Sequence, residues 1–132
     1  MCIVCETENI EDIVHLTQLD CSGCQNITQI PPELVNLTTI NCVGCNGITA
    51  IPPELVNLTY LNCGFCNELT TIPPELVNLT TLYCSCCPEI TSLPNTLVNL
   101  TILNCVGCGI THIPTEFVNL TSLNHAGCPI IS

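Results

Sequence analysis

The residues of this chain best equipped for chemistry are its cysteines, and they come in pairs. Fourteen of the 132 residues are Cys. The spacing Cys-x-x-Cys occurs at Cys2/Cys5, Cys21/Cys24, Cys42/Cys45, Cys63/Cys66, Cys84/Cys87 and Cys105/Cys108. Such a pair supplies two thiolates to a soft cation such as zinc or copper(I), and two pairs complete a tetrahedral site. It can also work as a redox couple, provided one thiol is activated near a helix N-terminus. The regularity argues against both uses, because every pair sits in the same repeated sequence context. A buried cysteine otherwise behaves as a small hydrophobe with a weak donor.

The reading that follows is structural. Cys21, Cys42, Cys63, Cys84 and Cys105 form one column of inward-facing thiols, with His125 in the last place. Cys24, Cys45, Cys66, Cys87, Cys108 and Cys128 form a second column that meets backbone groups at a turn. No metal site and no cofactor are expected, and soft-metal binding by the columns stands as an alternative. Cys86 lies outside both columns and is the candidate for the most reactive thiol. In-register parallel side chains do not aim at one another, so free thiols are expected rather than disulfides between coils.

No other catalytic set is apparent. His15, His112 and His125 are too scattered for a nucleophile and its base, and there is no glycine-rich phosphate loop. An enzyme is not expected. Glu33, Glu54, Glu75 and Glu116 share one position in the repeat but lack the spacing of a calcium loop, which leaves a solvated acidic stripe.

The elements that must carry these residues follow from the period. Asn36-Leu37, Asn57-Leu58, Asn78-Leu79, Asn99-Leu100 and Asn119-Leu120 mark steps of 21, 21, 21 and 20 residues. The short step arises between Cys108 and Ile110. A fixed period in this range signals a solenoid. Within "LTTINCVGC", Leu37, Ile40 and Cys42 point inward while Thr39, Asn41 and Val43 point outward, the alternation of a short strand. The paired prolines of "IPPELVN" exclude a proper helix and require an extended return. There Ile48, Ile51 and Leu55 turn back to the core. Asn36, Asn57, Asn78, Asn99 and Asn119, together with the threonines beside the leading leucines, would form ladders that satisfy turn backbone groups from coil to coil.

Each unit reads L-x-x-L-x-C-x-x-C-x-x-I-T-x-I-P-P-E-L-V-N, which resembles the leucine-rich repeat framework L-x-x-L-x-L-x-x-N/C-x-L. The return half is similar to plant-type repeats, and the doubled cysteine is similar to repeats of amoeba-infecting giant viruses. The expected fold is a mostly β solenoid, with a parallel sheet on one face, extended and turn segments on the other, and little helix. Residues 1–15 form an N-terminal half repeat or cap. Residues 16–132 form the solenoid, with five full repeats and a partial sixth.

Charge narrows the partners. The chain has no Lys or Arg, eleven acidic residues and a formal charge of −11, which disfavours nucleic acid and anionic membrane surfaces. The start "MCIVCETENIEDIVH" does not read as a secretory signal. The expected setting is therefore cytoplasmic and reducing, with association to a virus implied by the likeness above. On that reading the Asn-x-Thr sequons at Asn26 and at the five repeat asparagines are structural. The expected function is binding of another protein through the sheet face by Tyr60, Phe65, Tyr83, Asn41, Asn62, Asn104 and Ile102. The alternative is a self-assembling solenoid, a head-to-tail homo-oligomer, filament or virion component, since "CPII" shows no amphipathic cap.

Overall fold

The computed structural model describes residues 2–131; Met1 and Ser132, the outer bounds of the two segments above, lie outside the described residues. Six three-residue strands follow one another: β1 (Gln18–Asp20), β2 (Thr39–Asn41), β3 (Tyr60–Asn62), β4 (Thr81–Tyr83), β5 (Ile102–Asn104) and β6 (Ser122–Asn124). They pair in parallel and in sequence order, so each strand lies beside its copy from the next coil. The register is that of the repeat, with Leu19, Ile40, Leu61, Leu82, Leu103 and Leu123 aligned. The molecule is a β solenoid with a parallel sheet on one face and almost no helix, as the alternation and the prolines require.

The strands are short, yet the backbone ladder runs on past them. Cys42 N–H donates to the Asn62 carbonyl at 2.8 Å and Gly44 N–H to the Gly64 carbonyl at 2.8 Å. Before the strand, the Thr59 carbonyl accepts from both Thr80 N–H and Thr81 N–H. Along the proline-rich return no such backbone ladder runs among the described residues, and each proline there lacks the donor. Side chains bridge it instead: Asn57, Asn78, Asn99 and Asn119 each send Nδ2 to a valine carbonyl of the preceding coil at 2.8–2.9 Å.

Inside, one continuous core fills the coils. Ile48, Leu55, Leu58, Leu61 and both cysteines of that coil are fully buried. Each buried leucine contributes about 1.5–3 kcal/mol relative to exposure. Phe117 takes the place of Leu55 in the fifth return segment and is also buried. Among the described residues no buried side-chain nitrogen or oxygen lacks a partner.

Residues 2–15 depart from the coil pattern. Cys5, in phase with the later pairs, lies on a helical turn, α1 (Ile3–Glu6), with Cys2 as its extended N-cap, and a 3-10 turn follows at Ile10–Asp12. The Asn9 side chain accepts from Glu11 N–H at the start of that turn. This segment packs Val4, Cys5, Ile10 and Val14 against the first coil.

The short step is absorbed at one corner. Gly109 N–H donates to the Ile90 carbonyl at 2.9 Å, and a Cβ there would lie 3.0 Å from the Pro88 carbonyl oxygen. Strand β6 still pairs in register with β5. At the last coil no further coil packs outside β6 among the described residues, and all three of its residues are exposed. His125, aligned with the first cysteine column, is exposed there as well. Among the described residues, no helix is long and apolar enough to cross a membrane.

Candidate functional site

The outward rows of the sheet carry the residues that sequence reasoning assigned to a partner. Tyr60 faces Thr39 and Thr81 in register, and Tyr83 faces Asn62 and Asn104. The two tyrosines are therefore diagonal neighbours, and their rings meet edge to face with centroids 5.8 Å apart at 65°. Both are half-buried, as are Asn41, Asn62, Ile102 and Asn104. The asparagines already have a structural duty. Asn41, Asn62 and Asn104 accept, through Oδ1, the backbone N–H two residues on at 3.2 Å. What they offer a partner is the amide NH₂.

Phe65 adds a second feature. After each strand the chain turns through a left-handed residue, and at Gly23, Gly44, Gly107 and Gly127 that residue is glycine. In the third and fourth coils it is Phe65, with φ 60°, and Cys86, with φ 59°. A left-handed conformation costs an L-residue roughly 1–2 kcal/mol. Phe65 is also 54% exposed. Strain and exposed aromatic area thus coincide one coil apart from the thiol Cys86, on the flank of the tyrosine pair.

The cysteine columns lie on the other side of this sheet. Cys45, Cys66, Cys87, Cys108 and Cys128 each donate S–H to the carbonyl of the first cysteine in the preceding coil, at 2.8–3.1 Å. The carbonyl by itself favours the thiol, but the hydrogen bond with the first column's sulfur draws Cys66 and Cys87 below the ordinary thiol range and Cys108 to about 7. The first column is held protonated. The hydrogen bond with the second column's sulfur, followed by burial, pushes Cys42, Cys63 and Cys84 well above the ordinary thiol range. Burial raises Cys21, and raises Cys105 to about 12. A nucleophile needs the thiolate, and the first column is built to keep the thiol.

The threonine and asparagine ladders line an open groove of about 600 Å³ along the corner, between Asn57 and Asn119. Its hydroxyls are engaged within the molecule: Thr59, Thr80 and Thr101 send Oγ1 to the threonine carbonyl one coil back, at 3.1–3.2 Å. Glu33, Glu54, Glu75 and Glu116 are all exposed on the return side. Sequence reasoning missed one assembly. Cys2, Cys5 and Cys24 bring their sulfurs together within 4.8 Å of one another. The available signal was the first Cys-x-x-Cys, in phase with the columns but flanked by a different sequence.

Comparison with known proteins agrees with this architecture. The family model described as Leucine Rich Repeat matches residues 15–37, 57–79 and 99–120. No curated protein matches the chain. Among solved structures, the functional domain of InlJ from Listeria monocytogenes, described as including a cysteine ladder, is 27% identical with a TM-score of 0.66, over 94% of this chain and 33% of that one. The leucine-rich repeat domain of the type III effector XopL is 17% identical with a TM-score of 0.64, over 92% of this chain and 56% of that one. A leucine-rich repeat protein of Leptospira interrogans is 24% identical with a TM-score of 0.57, over 89% and 39%. The chain thus spans between a third and somewhat over half of these structures. On its three matched segments and its coil-by-coil architecture, the chain belongs to the leucine-rich repeat family.

Proposed function

We propose that this chain is a non-enzymatic binding module that holds a partner protein on the outer face of its sheet, with Tyr60, Phe65 and Tyr83 at the centre of contact. One observation carries the reading: an exposed phenylalanine occupies a left-handed position that four other coils give to glycine. Retained strain of this kind concentrates at ligand clamps and other functional sites. The adjoining tyrosine pair has the amphipathic character of interface anchors, and leucine-rich repeats commonly serve as protein-binding modules. Because the chain carries −11 and no cation, the complementary partner surface is neutral or basic, and a lysine or arginine could lie over the tyrosine rings. The setting we favour is reducing cytoplasm, because disulfides would break the thiol-to-carbonyl bonds of the second column.

The test is capture of a partner by the immobilised chain, compared across variants. Tyr60→Ala with Tyr83→Ala, and separately Phe65→Gly, should abolish capture while circular dichroism stays unchanged. Glu54→Gln with Glu75→Gln on the return side should leave it intact. Capture that survives the aromatic variants overturns the assignment of the face.

Self-association is the second reading, favoured by the apolar exposure of Val118, Leu123 and Ile131 around the last coil. Light scattering on reduced, chelator-treated protein separates the two. Mass that grows with concentration supports stacking, and a constant monomer mass excludes it.

A further inference from the structure

Elsewhere thiols approach one another in twos, but among the described residues the sulfurs of Cys2, Cys5 and Cys24 converge as three. Cys2 Sγ lies 3.8 Å from Cys5 Sγ, and Cys5 Sγ lies 3.6 Å from Cys24 Sγ. All three fall within 4.8 Å of one another. A thiolate–metal bond of about 2.3 Å places ligand sulfurs roughly 3.7–4.0 Å apart, so two edges of this triangle already match and the third needs only a small closure. Cys2 and Cys24 are buried and Cys5 is half-buried, so the triangle is screened from solvent yet keeps one accessible corner.

Cys24 shows the sharpest contrast. Its counterparts in the second column all donate to a carbonyl. Cys24 Sγ instead meets Cys5 Sγ of the α1 turn at 3.6 Å. Beside it opens a cavity of about 250 Å³, lined by Cys2, Asp20, Cys21, Ser22, Gly23 and Cys24. Asp20 sits in the sheet row where other coils have asparagine or tyrosine. Its carboxyl is held below the usual range by the Ser22 hydroxyl at 2.7 Å and the Ser22 N–H at 3.0 Å. A negative charge therefore faces the same cavity as the thiols, with room for a water as fourth ligand.

We propose that Cys2, Cys5 and Cys24 form a site for one soft closed-shell cation, zinc(II) or copper(I), which staples the α1 turn to the first coil. Three sulfurs with no fourth protein ligand suit trigonal copper(I); zinc would complete its tetrahedron with water from the Asp20 cavity. The ion would bind this end of the core and the preceding turn into one unit, so that metal binding adds to folding free energy. Cys24 opens the second column and the site ends with it, since the later sulfurs of that column are engaged with carbonyls.

The experiment titrates reduced, chelator-treated full chain anaerobically with zinc(II), and in parallel with copper(I), against a chromophoric chelator. Expected are one ion per chain, a higher urea midpoint with metal, and loss of both effects in Cys5→Ser and in Cys2→Ser. Cys86→Ser should bind like the parent. Cys5 is half-buried, and circular dichroism of Cys5→Ser checks that its fold is kept. Cadmium charge-transfer absorption in the parent should count three thiolates. Failure to compete with the chelator for either ion overturns the site. So does binding undiminished in Cys5→Ser, which would place the ion on the columns. The ion bound more tightly decides between trigonal and water-completed coordination.

Discussion

At the scale of the residue, this protein gives cysteine two opposite environments. In the first column the proton is kept on sulfur, whereas Cys66, Cys87 and Cys108 of the second are drawn down by their hydrogen bonds to it, and the sign of the first column's effect on stability follows. The unfolded chain gives up these protons near pH 8.5, whereas folded Cys105 holds its proton to about 12 and Cys42, Cys63 and Cys84 are also raised. Unfolding therefore releases protons in that range. The contribution is complete below pH 8.5 and is lost as pH rises toward the folded values. Urea midpoints under reducing conditions should fall steadily from about pH 9 upward; an unchanged midpoint at pH 10.5 would contradict a protonated, buried first column. Asparagine carries a comparable load on the return side. Asn78→Ala removes the 2.8 Å bond to the Val56 carbonyl and should cost about 1 kcal/mol, read as a shift in the same midpoint.

At the scale of the element, each coil is a strand, a tight left-handed corner and a proline-rich return. The corner makes the strain at Phe65 measurable. Phe65→Gly should raise stability by roughly 1 kcal/mol in the same variant that loses the partner, so stability and binding move in opposite directions. A variant that was destabilised and still bound would remove the functional reading of that strain. Gly47 tests the opposite case. A Cβ there would lie 2.6 Å from the Ile27 carbonyl oxygen, so Gly47→Ala should destabilise by more than about 1 kcal/mol. Much of the coil was legible in the sequence, because period and alternation alone separate Ile40 and Cys42 from Thr39 and Asn41. The left-handed geometry was foreshadowed by the alignment of Phe65 and Cys86 with glycine, although strain is a backbone property that no residue type declares. The thiol triangle was not legible. Cys2 and Cys5 keep the phase of the repeat, but the turn that aims them at Cys24 depends on how residues 2–15 pack across the first coil.

At the scale of the whole molecule, stability rests on apolar burial and hydrogen bonds without help from lysine or arginine. With eleven acidic residues and no compensating cation, the folded chain concentrates like charge, most plainly along Glu33, Glu54 and Glu75. Screening reaches about 8 Å at 0.15 M ionic strength, so added sodium chloride should raise the melting temperature. A fall with salt would point to an attractive charge network that the composition does not supply. The aligned ladders also explain how a 20-residue coil lies among 21-residue ones. The sheet is registered by strands and cysteine columns, while the corner at Gly109 makes up the missing residue. That corner is a seam in the measure of the chain, where length is free to change and phase is not. Peptides spliced between Cys108 and Ile110 would leave the strands counting in step, which makes this bend the natural place to attach a cargo to the solenoid.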